Sequence, residues 1–387
     1  MQKFFFQQYF QGFTHKSFQV AYWDNTTEAY GEGDPEFTIK FTQKVSVADF
    51  LKNPVLSFGE AYMDGIIEIQ GKIEDVIAAA YSNKDKLWSE TISRLPKLTS
   101  LRKQKEDVRH HYDLGNEFYR LWLDETMSYS CAYFHQEDDS LEKAQLQKID
   151  HVLKKLQLRP GEKLLDIGSG WGWLIIRAAQ QYGVKAKGVT VSEEQYKKTK
   201  ERIAALGLNE RVEVQLIDYR EQADTQETFD KISSVGMFEH VGKENYPLFM
   251  KAVEVLLKDK GLALLHTITH QKEEPADPWI ETYIFPGGYI PSLREIVSLL
   301  PEYRFHLLDV ENLSMHYAKT LDCWSERFES RRDSVQSMFD ERFVRMWRLY
   351  LQSSAASFRL GSLSIHQLLF SKGVNNALPL TREYQYR

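Results

Sequence analysis

From about residue 140 onward the apolar positions of the chain alternate between two rhythms. Residues 141–156 place Ala144, Ile149, Leu153 and Leu156 near one face of a helix. After Arg159, Pro160 and Gly161, an apolar run ending in Asp166 reads as a buried strand. Helical spacing returns over 173–182, a strand follows at 184–191, and Ser192 is placed to cap a helix over 193–206. Strands at 212–217 and 229–235, a helix at 243–257, and strands at 261–268, 303–310 and 366–371 complete the series. Alternation of this kind predicts an α/β fold, a mostly parallel sheet with helices on both faces. Ligands in such sheets bind beyond the carboxyl ends of the strands, where strand order reverses. The chemistry-bearing positions at those ends are 168–172, Thr190, Asp218, 236–239 and 266–268.

The first hundred residues follow a different pattern. Residues 37–41 alternate like a strand with one buried face, and 46–51 read as a short helix with Ser46 as N-cap. A second short strand is expected at 68–70, and a helix at 72–81 through Ile73, Val76, Ile77 and Ala80. This predicts a small α+β N-terminal domain at 1–95, a basic linker at 96–106 and a larger domain at 107–387. Arg94, Lys97, Arg102, Lys103 and Lys105 mark the linker, broken by Pro96. Such a run is either a solvated connector or an attraction to anionic lipid head groups, worth ~1 kcal/mol per basic side chain. Two insertions interrupt the larger domain. Residues 271–292, with Pro275, Pro278, Trp279, Tyr283 and Pro286, read as a lid. Residues 312–360 read as mostly helical, and Phe343, Trp347 and Tyr350 form a stripe of the kind that usually packs in a core. Arg331, Arg332, Arg342, Arg345 and Arg348 surround that stripe, so contact with lipid head groups is the alternative.

Composition narrows the classes. A net charge of −6 over 387 residues argues against a general nucleic-acid binder. Two cysteines, Cys131 and Cys323, make no disulfide framework and fit a reducing compartment. The aromatic start lacks the build of a signal peptide, and no apolar run approaches the ~20 residues of a membrane span. The expectation is a cytoplasmic protein able to work at a membrane surface.

The stretch L-L-D-I-G-S-G-W-G at 164–172 joins strand to helix through a glycine-spaced loop. That arrangement brings backbone N–H groups at a helix N-terminus to a nucleotide-like ligand, although glycines also serve turn geometry alone. The dinucleotide fingerprint needs its third glycine one residue later, where Trp173 stands, which disfavours a nicotinamide enzyme. Residues 108–122 are expected to contain a helix packing over this loop, and 127–134 (M-S-Y-S-C-A-Y-F) to be an edge strand or a buried loop. Metal sites fail on geometry. His266 and His270, four apart on a strand, stand ~13 Å from each other, and Glu239-His240 is not the helical H-E-x-x-H pattern. Cys131 has no obvious activating base nearby, and Cys323 sits on an expected helix as a core residue.

Several motifs together carry a family resemblance. They are H-Y-D at 111–113, Y-S-C-A-Y-F at 129–134, D-I-G-S-G-W-G at 166–172, G-V-T-V-S-E-E-Q at 188–195, D-Y-R at 218–220 and F-E-H-V-G at 238–242. In that order they resemble the cyclopropane fatty-acid synthases and mycolic acid cyclopropane synthases, within the class I S-adenosylmethionine methyltransferases. The likeness covers roughly 107–387, and the N-terminal part resembles only the longer, bacterial-type members. Ser169 stands where many members have cysteine, and Thr190 replaces the ribose-binding acid of ordinary methyltransferases, as it does across this family. The resemblance implies a Rossmann-like class I sheet and S-adenosylmethionine as co-substrate. That co-substrate would be held by Tyr129, Ser130, Gly168, Gly170, Thr190, Gln195, Asp218, Tyr219 and Arg220. It further implies bicarbonate held by Glu239, His266 and Tyr317 with backbone groups of Cys131 and Ile268, no metal, and an unsaturated phospholipid acceptor. Pairing as a homodimer is implied as well, and the aromatic and basic residues of the two insertions lead to the expectation that they build an acyl tunnel and its mouth at a membrane surface, with the protein peripherally associated there. Methylating an alkene creates a carbon cation, for which Tyr133, Phe238 and Tyr317 are candidate aromatic stabilisers at ~0.5–2 kcal/mol each. The rival readings are a plain methyltransferase of the same fold and a lipid-binding protein that has lost catalysis, the latter opposed by intact Glu239, His266 and Tyr317.

Overall fold

In the computed structural model, which describes residues 2–13, 16–81 and 114–386, contacts divide the chain into two units. The first comprises Met1–Lys97, Pro275–Ile284 and Leu321–Gly361. Its four strands are β1 (Phe18–Ala21), β2 (Thr27–Tyr30), β3 (Phe37–Phe41) and β4 (Ile67–Gln70), in the order β2-β1-β3-β4. The expected alternation at 37–41 appears as buried Phe37, Ile39 and Phe41 around exposed Lys40. The aromatic start is a helix, Gln2–Gln11, whose Phe6 and Phe10 sit i, i+4 and join Phe18, Phe41 and Phe50 in the core. Ser46 caps helix Val47–Lys52, and Asn53 caps helix Pro54–Met63, where proline takes the first turn, whose N–H groups have no helical partner.

The two stretches that rejoin this unit do so through close packing. A Cβ on Gly59 would lie 2.3 Å from Trp279 Cδ1, and the Trp279 indole donates to Met63 sulfur at 3.2 Å. In helix Glu341–Arg359, Trp347 and Tyr350 are buried, and Phe343 stacks on Trp347. The arginines around the stripe are largely engaged inside the unit. Arg342 pairs with Asp64 (2.7 Å), Arg348 with Glu329 (2.5 and 2.7 Å) and Arg332 with Glu341 (2.9 Å). Arg345 donates to the carbonyls of Tyr62 and Ile67. Four of the five arginines thus have partners within the chain, and Arg332 and Arg342 keep 44% and 45% of their side-chain surface exposed. The linker basics from Arg94 to Lys105 and the H-Y-D stretch at 111–113 lie outside the described residues.

The second unit comprises Leu98–Glu274, Phe285–Thr320 and Ser362–Arg387. It holds β5 (Lys163–Ile167), β6 (Lys185–Thr190), β7 (Val212–Leu216), β8 (Phe229–Val235), β9 (Leu257–His270), β10 (Phe305–Asn312) and β11 (Leu363–Lys372). Their order is β10-β11-β9-β8-β5-β6-β7. Neighbours among β5 to β9 are parallel, and β11 runs antiparallel to both β9 and β10. Successive strand residues serve opposite faces. Leu164 packs with helices Leu141–Lys155 and Trp173–Tyr182, while Leu165 packs with helix Tyr246–Leu256. Strand order reverses at β5, which lies between β6 and β8. Residues 127–134 form no regular element and are the buried loop, not the edge strand.

Candidate active site

Beyond the carboxyl ends of β5, β6 and β8 lies a cleft. All nine residues expected to hold a nucleotide-like co-substrate line it: Tyr129, Ser130, Gly168, Gly170, Thr190, Gln195, Asp218, Tyr219 and Arg220. Two glycines of the loop are demanded by geometry. Gly172 has φ +85°, and a Cβ there would lie 2.3 Å from Thr199 Cγ2, so only glycine lets helix Trp173–Tyr182 start against helix Glu193–Ala205. Gly170 has φ +54°, a left-handed backbone, with open space where a Cβ would stand, and its carbonyl accepts from Thr199 Oγ1 at 3.3 Å.

The rim is pre-set by polar bonds. Thr190 Oγ1 donates to Gln195 Oε1 at 2.8 Å, so the two side chains expected at ribose hydroxyls already hold each other in place. Asp218 caps the short helix Tyr219–Asp224 by accepting from the Arg220 amide (2.9 Å), and it also grips the Arg220 guanidinium (2.6 and 2.8 Å). The Arg220 guanidinium in turn lies over the Tyr219 ring. The loop bearing Tyr129 and Ser130 is tied from both sides. Asp124 accepts from the Thr126 and Ser128 amides, and Gln145 donates to the Ser128 and Ser130 carbonyls. Tyr129 packs against Tyr119 and Trp122, and Tyr119 packs on Trp171 of the glycine loop, from the helix Asn116–Arg120 expected in that place.

The residues expected to do chemistry sit at the ends of β8 and β9. Glu239 is buried on a 3-10 turn, and its Oε1 accepts from the Ile268 amide at 2.6 Å. The Ile268 N–H is thus committed to holding the carboxylate. Glu239 Oε2 is buried without a partner. Burial pushes its carboxyl up to about 7, against the pull of the Ile268 hydrogen bond. His266 is fully buried, and its Nδ1 accepts from Gln367 Nε2 (3.0 Å), the residue directly opposite on β11. That leaves the ring proton on Nε2, which is also buried without a partner. Burial first, then the Lys148 charge, pulls His266 down to about 3, so the ring is neutral. Two buried polar atoms are thus left without a partner, Glu239 Oε2 on the turn after β8 and His266 Nε2 on β9.

Tyr317 is buried near the start of helix Ser314–Ser330. That helix is tied to the 127–134 loop, where the Ala132 amide donates to Thr320 Oγ1 (3.0 Å) and Cys131 Sγ approaches the Leu313 carbonyl (3.8 Å). Cys131 is fully buried, and that burial raises its thiol far above its ordinary value, disfavouring the thiolate a nucleophile needs. Tyr133 is withdrawn as a cation stabiliser, because both its faces are covered by stacked imidazoles, His151 at 4.1 Å and His316 at 4.6 Å. Phe238 is fully buried with one face stacked on Tyr246 at 4.1 Å. Sequence reasoning missed Lys148, Gln145 and Asp124. Gln145, Lys148, His151 and Lys155 recur at three- and four-residue spacing on helix Leu141–Lys155 and are all buried. Such polar positions normally mark the solvent face of an amphipathic helix, so the pattern concealed them.

The sheet order, the glycine loop after its central strand and the cleft beyond it define a class I methyltransferase fold, shared with coclaurine N-methyltransferase (TM-score 0.64, 22% identity, 83% of this chain and 100% of that one). The sequence model of the mycolic acid cyclopropane synthetase family matches residues 99–368, and a domain of unknown function, DUF7884, matches 5–91. The chain belongs to the mycolic acid cyclopropane synthetase family. It is 36% identical to a probable fatty acid methyltransferase of Pseudomonas putida (96% of this chain, 97% of that one). It is 40% identical to the cyclopropane-fatty-acyl-phospholipid synthase of Escherichia coli K12 (88% of this chain, 90% of that one). The crystal structure of the mycolic acid cyclopropane synthase CmaA1 complexed with SAH and CTAB superposes with a TM-score of 0.66 at 36% identity, over 72% of this chain and 100% of that one.

Proposed function

We propose that the protein is a cyclopropane-fatty-acyl-phospholipid synthase that transfers a methylene from S-adenosylmethionine to the cis double bond of phospholipid acyl chains. The observation that carries the proposal is the pair of buried, unpartnered atoms, Glu239 Oε2 and His266 Nε2, at adjacent strand ends in a chain of this family. S-adenosylmethionine, seated along the glycine loop and against Thr190, Gln195 and Asp218, supplies an electrophilic methyl group on sulfur. The alkene attacks that carbon, a C–C bond forms, and the S–C electron pair stays on sulfur. The resulting carbon cation loses a proton from the transferred carbon as the ring closes, so the net addition is CH₂. Bicarbonate, held by Glu239 and His266 with Tyr317 alongside, would supply the base for that proton. His266 donates from Nε2, and Glu239 at a pKa near neutrality can accept and return a proton. Water is kept out by the burial of both residues.

The proposal includes an N-terminal domain at 1–95, a linker at 96–106 and a catalytic domain at 107–387 that lends the stretches 275–284 and 321–361 to the first unit, supported by the break between the two family matches at 91 and 99. It also includes work in the cytoplasm at the inner membrane face, since the acceptor lies in a bilayer. Among the described residues no helix is long and apolar enough to cross a membrane. The name of the Pseudomonas putida relative favours a second reading, plain methyl transfer to the same acyl chain. Incubation with labelled S-adenosylmethionine and vesicles of cis-unsaturated or saturated phospholipid separates the cases. We expect label only in the unsaturated lipid, cyclopropane proton signals in its NMR spectrum, and a lower rate when bicarbonate is withdrawn. Equal labelling of both lipids refutes alkene chemistry, and a methyl branch without a ring selects the second reading.

A further inference from the structure

Lys148 stands on the cleft-facing side of helix Leu141–Lys155, buried, and lines the same cleft as the glycine loop. Its ammonium donates to Ser130 Oγ at 2.9 Å and makes no ion pair with a carboxylate among the described residues. The acids nearest in charge are occupied elsewhere. Asp124 accepts from Thr126 and Ser128, and Asp166 accepts from the Ser233 hydroxyl at 2.7 Å. An ammonium has three donors, and only one is placed here. The Asp124 and Asp166 charges bear on Lys148 without an ion pair to it among the described residues, so its two remaining donors at the wall of the cleft are open to an anionic ligand atom. Ser130 is held for the same purpose. Gln145 fixes its carbonyl at 2.9 Å, and because its Oγ accepts from Lys148, its own O–H remains to donate.

S-adenosylmethionine carries one anionic group, the α-carboxylate of its methionine end. We propose that Lys148 and Ser130 form a carboxylate clamp, the ammonium pairing with one carboxylate oxygen and the Ser130 hydroxyl donating to the other. The clamp makes Lys148 the residue that selects the amino-acid end of the co-substrate and thereby orients the sulfonium toward the acceptor. This rests on the co-substrate reading given above and names the group that fixes it.

The test is calorimetric binding of S-adenosylmethionine and of decarboxylated S-adenosylmethionine to the full-length protein. The second ligand keeps the sulfonium and the amine and lacks only the carboxylate. The wild type is expected to bind the intact ligand at least about tenfold more tightly. Lys148→Met should abolish that margin by weakening the intact ligand alone, and Lys148→Arg should keep part of it. A margin retained in Lys148→Met, or equal weakening of both ligands, overturns the clamp. Should that variant fail to fold, the wild type decides by itself, because equal affinities for the two ligands overturn the proposal. Binding of neither ligand to the wild type defeats the co-substrate reading and the clamp with it.

Discussion

Glu239 and His266 depart from their ordinary pKa values in opposite directions for one reason: burial disfavours the charged form of each. The consequences for stability also run in opposite directions. The Glu239 value rises from 4.5 to about 7, so its contribution is fully present below pH 4.5 and is lost as pH rises through about 7. The His266 value falls from 6.5 to about 3, so its contribution is present above pH 6.5 and is lost as pH falls through about 3. Glu239→Gln keeps an acceptor for the Ile268 amide and removes the ionisation. It should stabilise the ligand-free protein at pH 8 by on the order of 2 kcal/mol and change little at pH 4, measured by urea denaturation at both values. The same substitution should lower the labelled-product rate by about 100-fold or more. A variant that is less stable at pH 8 contradicts the assignment of Glu239 as a strained, buried acid.

At the scale of elements, the glycine loop, its flanking strand and helix, and the run of parallel strands were legible because each obeys one period and one capping rule. Helix Trp173–Tyr182 and strand β8 fall where the apolar pattern puts them. Helix Gln2–Gln11 was not legible, since its mean polarity is near neutral and its aromatic positions find their partners only in the sheet they cover. The buried polar stripe of helix Leu141–Lys155 was hidden for a related reason. Lys155 is fully buried beside Asp309 and Glu311, and that pairing is visible only after β10 is in place. One element makes a sharp prediction. Gly172→Ala forces a side chain into a left-handed backbone and onto Thr199 Cγ2. The expected cost is about 2–4 kcal/mol in unfolding experiments, from the positive φ and from overpacking together. Weaker S-adenosylmethionine binding should accompany it, and a fully stable variant would show that the helix start can shift.

On the scale of the whole molecule, the stretches around residues 275–284 and 321–361, far from the N-terminus in sequence, complete the first unit. Linear reading placed them as insertions of the larger domain, because sequence order carries no record of which unit a returning segment joins. Arg345 shows how the unit is held. Its guanidinium lies over the Tyr62 ring at 4.4 Å and donates to the Tyr62 and Ile67 carbonyls, the first of which also accepts from the Gly65 amide at 3.2 Å. Arg345→Met should therefore lower the unfolding free energy by about 1–3 kcal/mol. It should leave binding to anionic vesicles unchanged, which vesicle co-sedimentation beside a melting curve would check. Loss of vesicle binding without loss of stability would return this arginine to the lipid surface.

The placement of β11 bears on how the enzyme comes into being. It is the last strand of its sheet to be synthesised, yet it lies between β9 and β10 and carries Gln367, which sets the His266 ring. Until it inserts, β9 and β10 each present an open edge, and the imidazole has no partner to fix its tautomer. Assembly of the sheet and competence for chemistry therefore arrive in one late, non-local step, and a nascent chain that has made six strands holds every residue of the glycine loop and no oriented histidine.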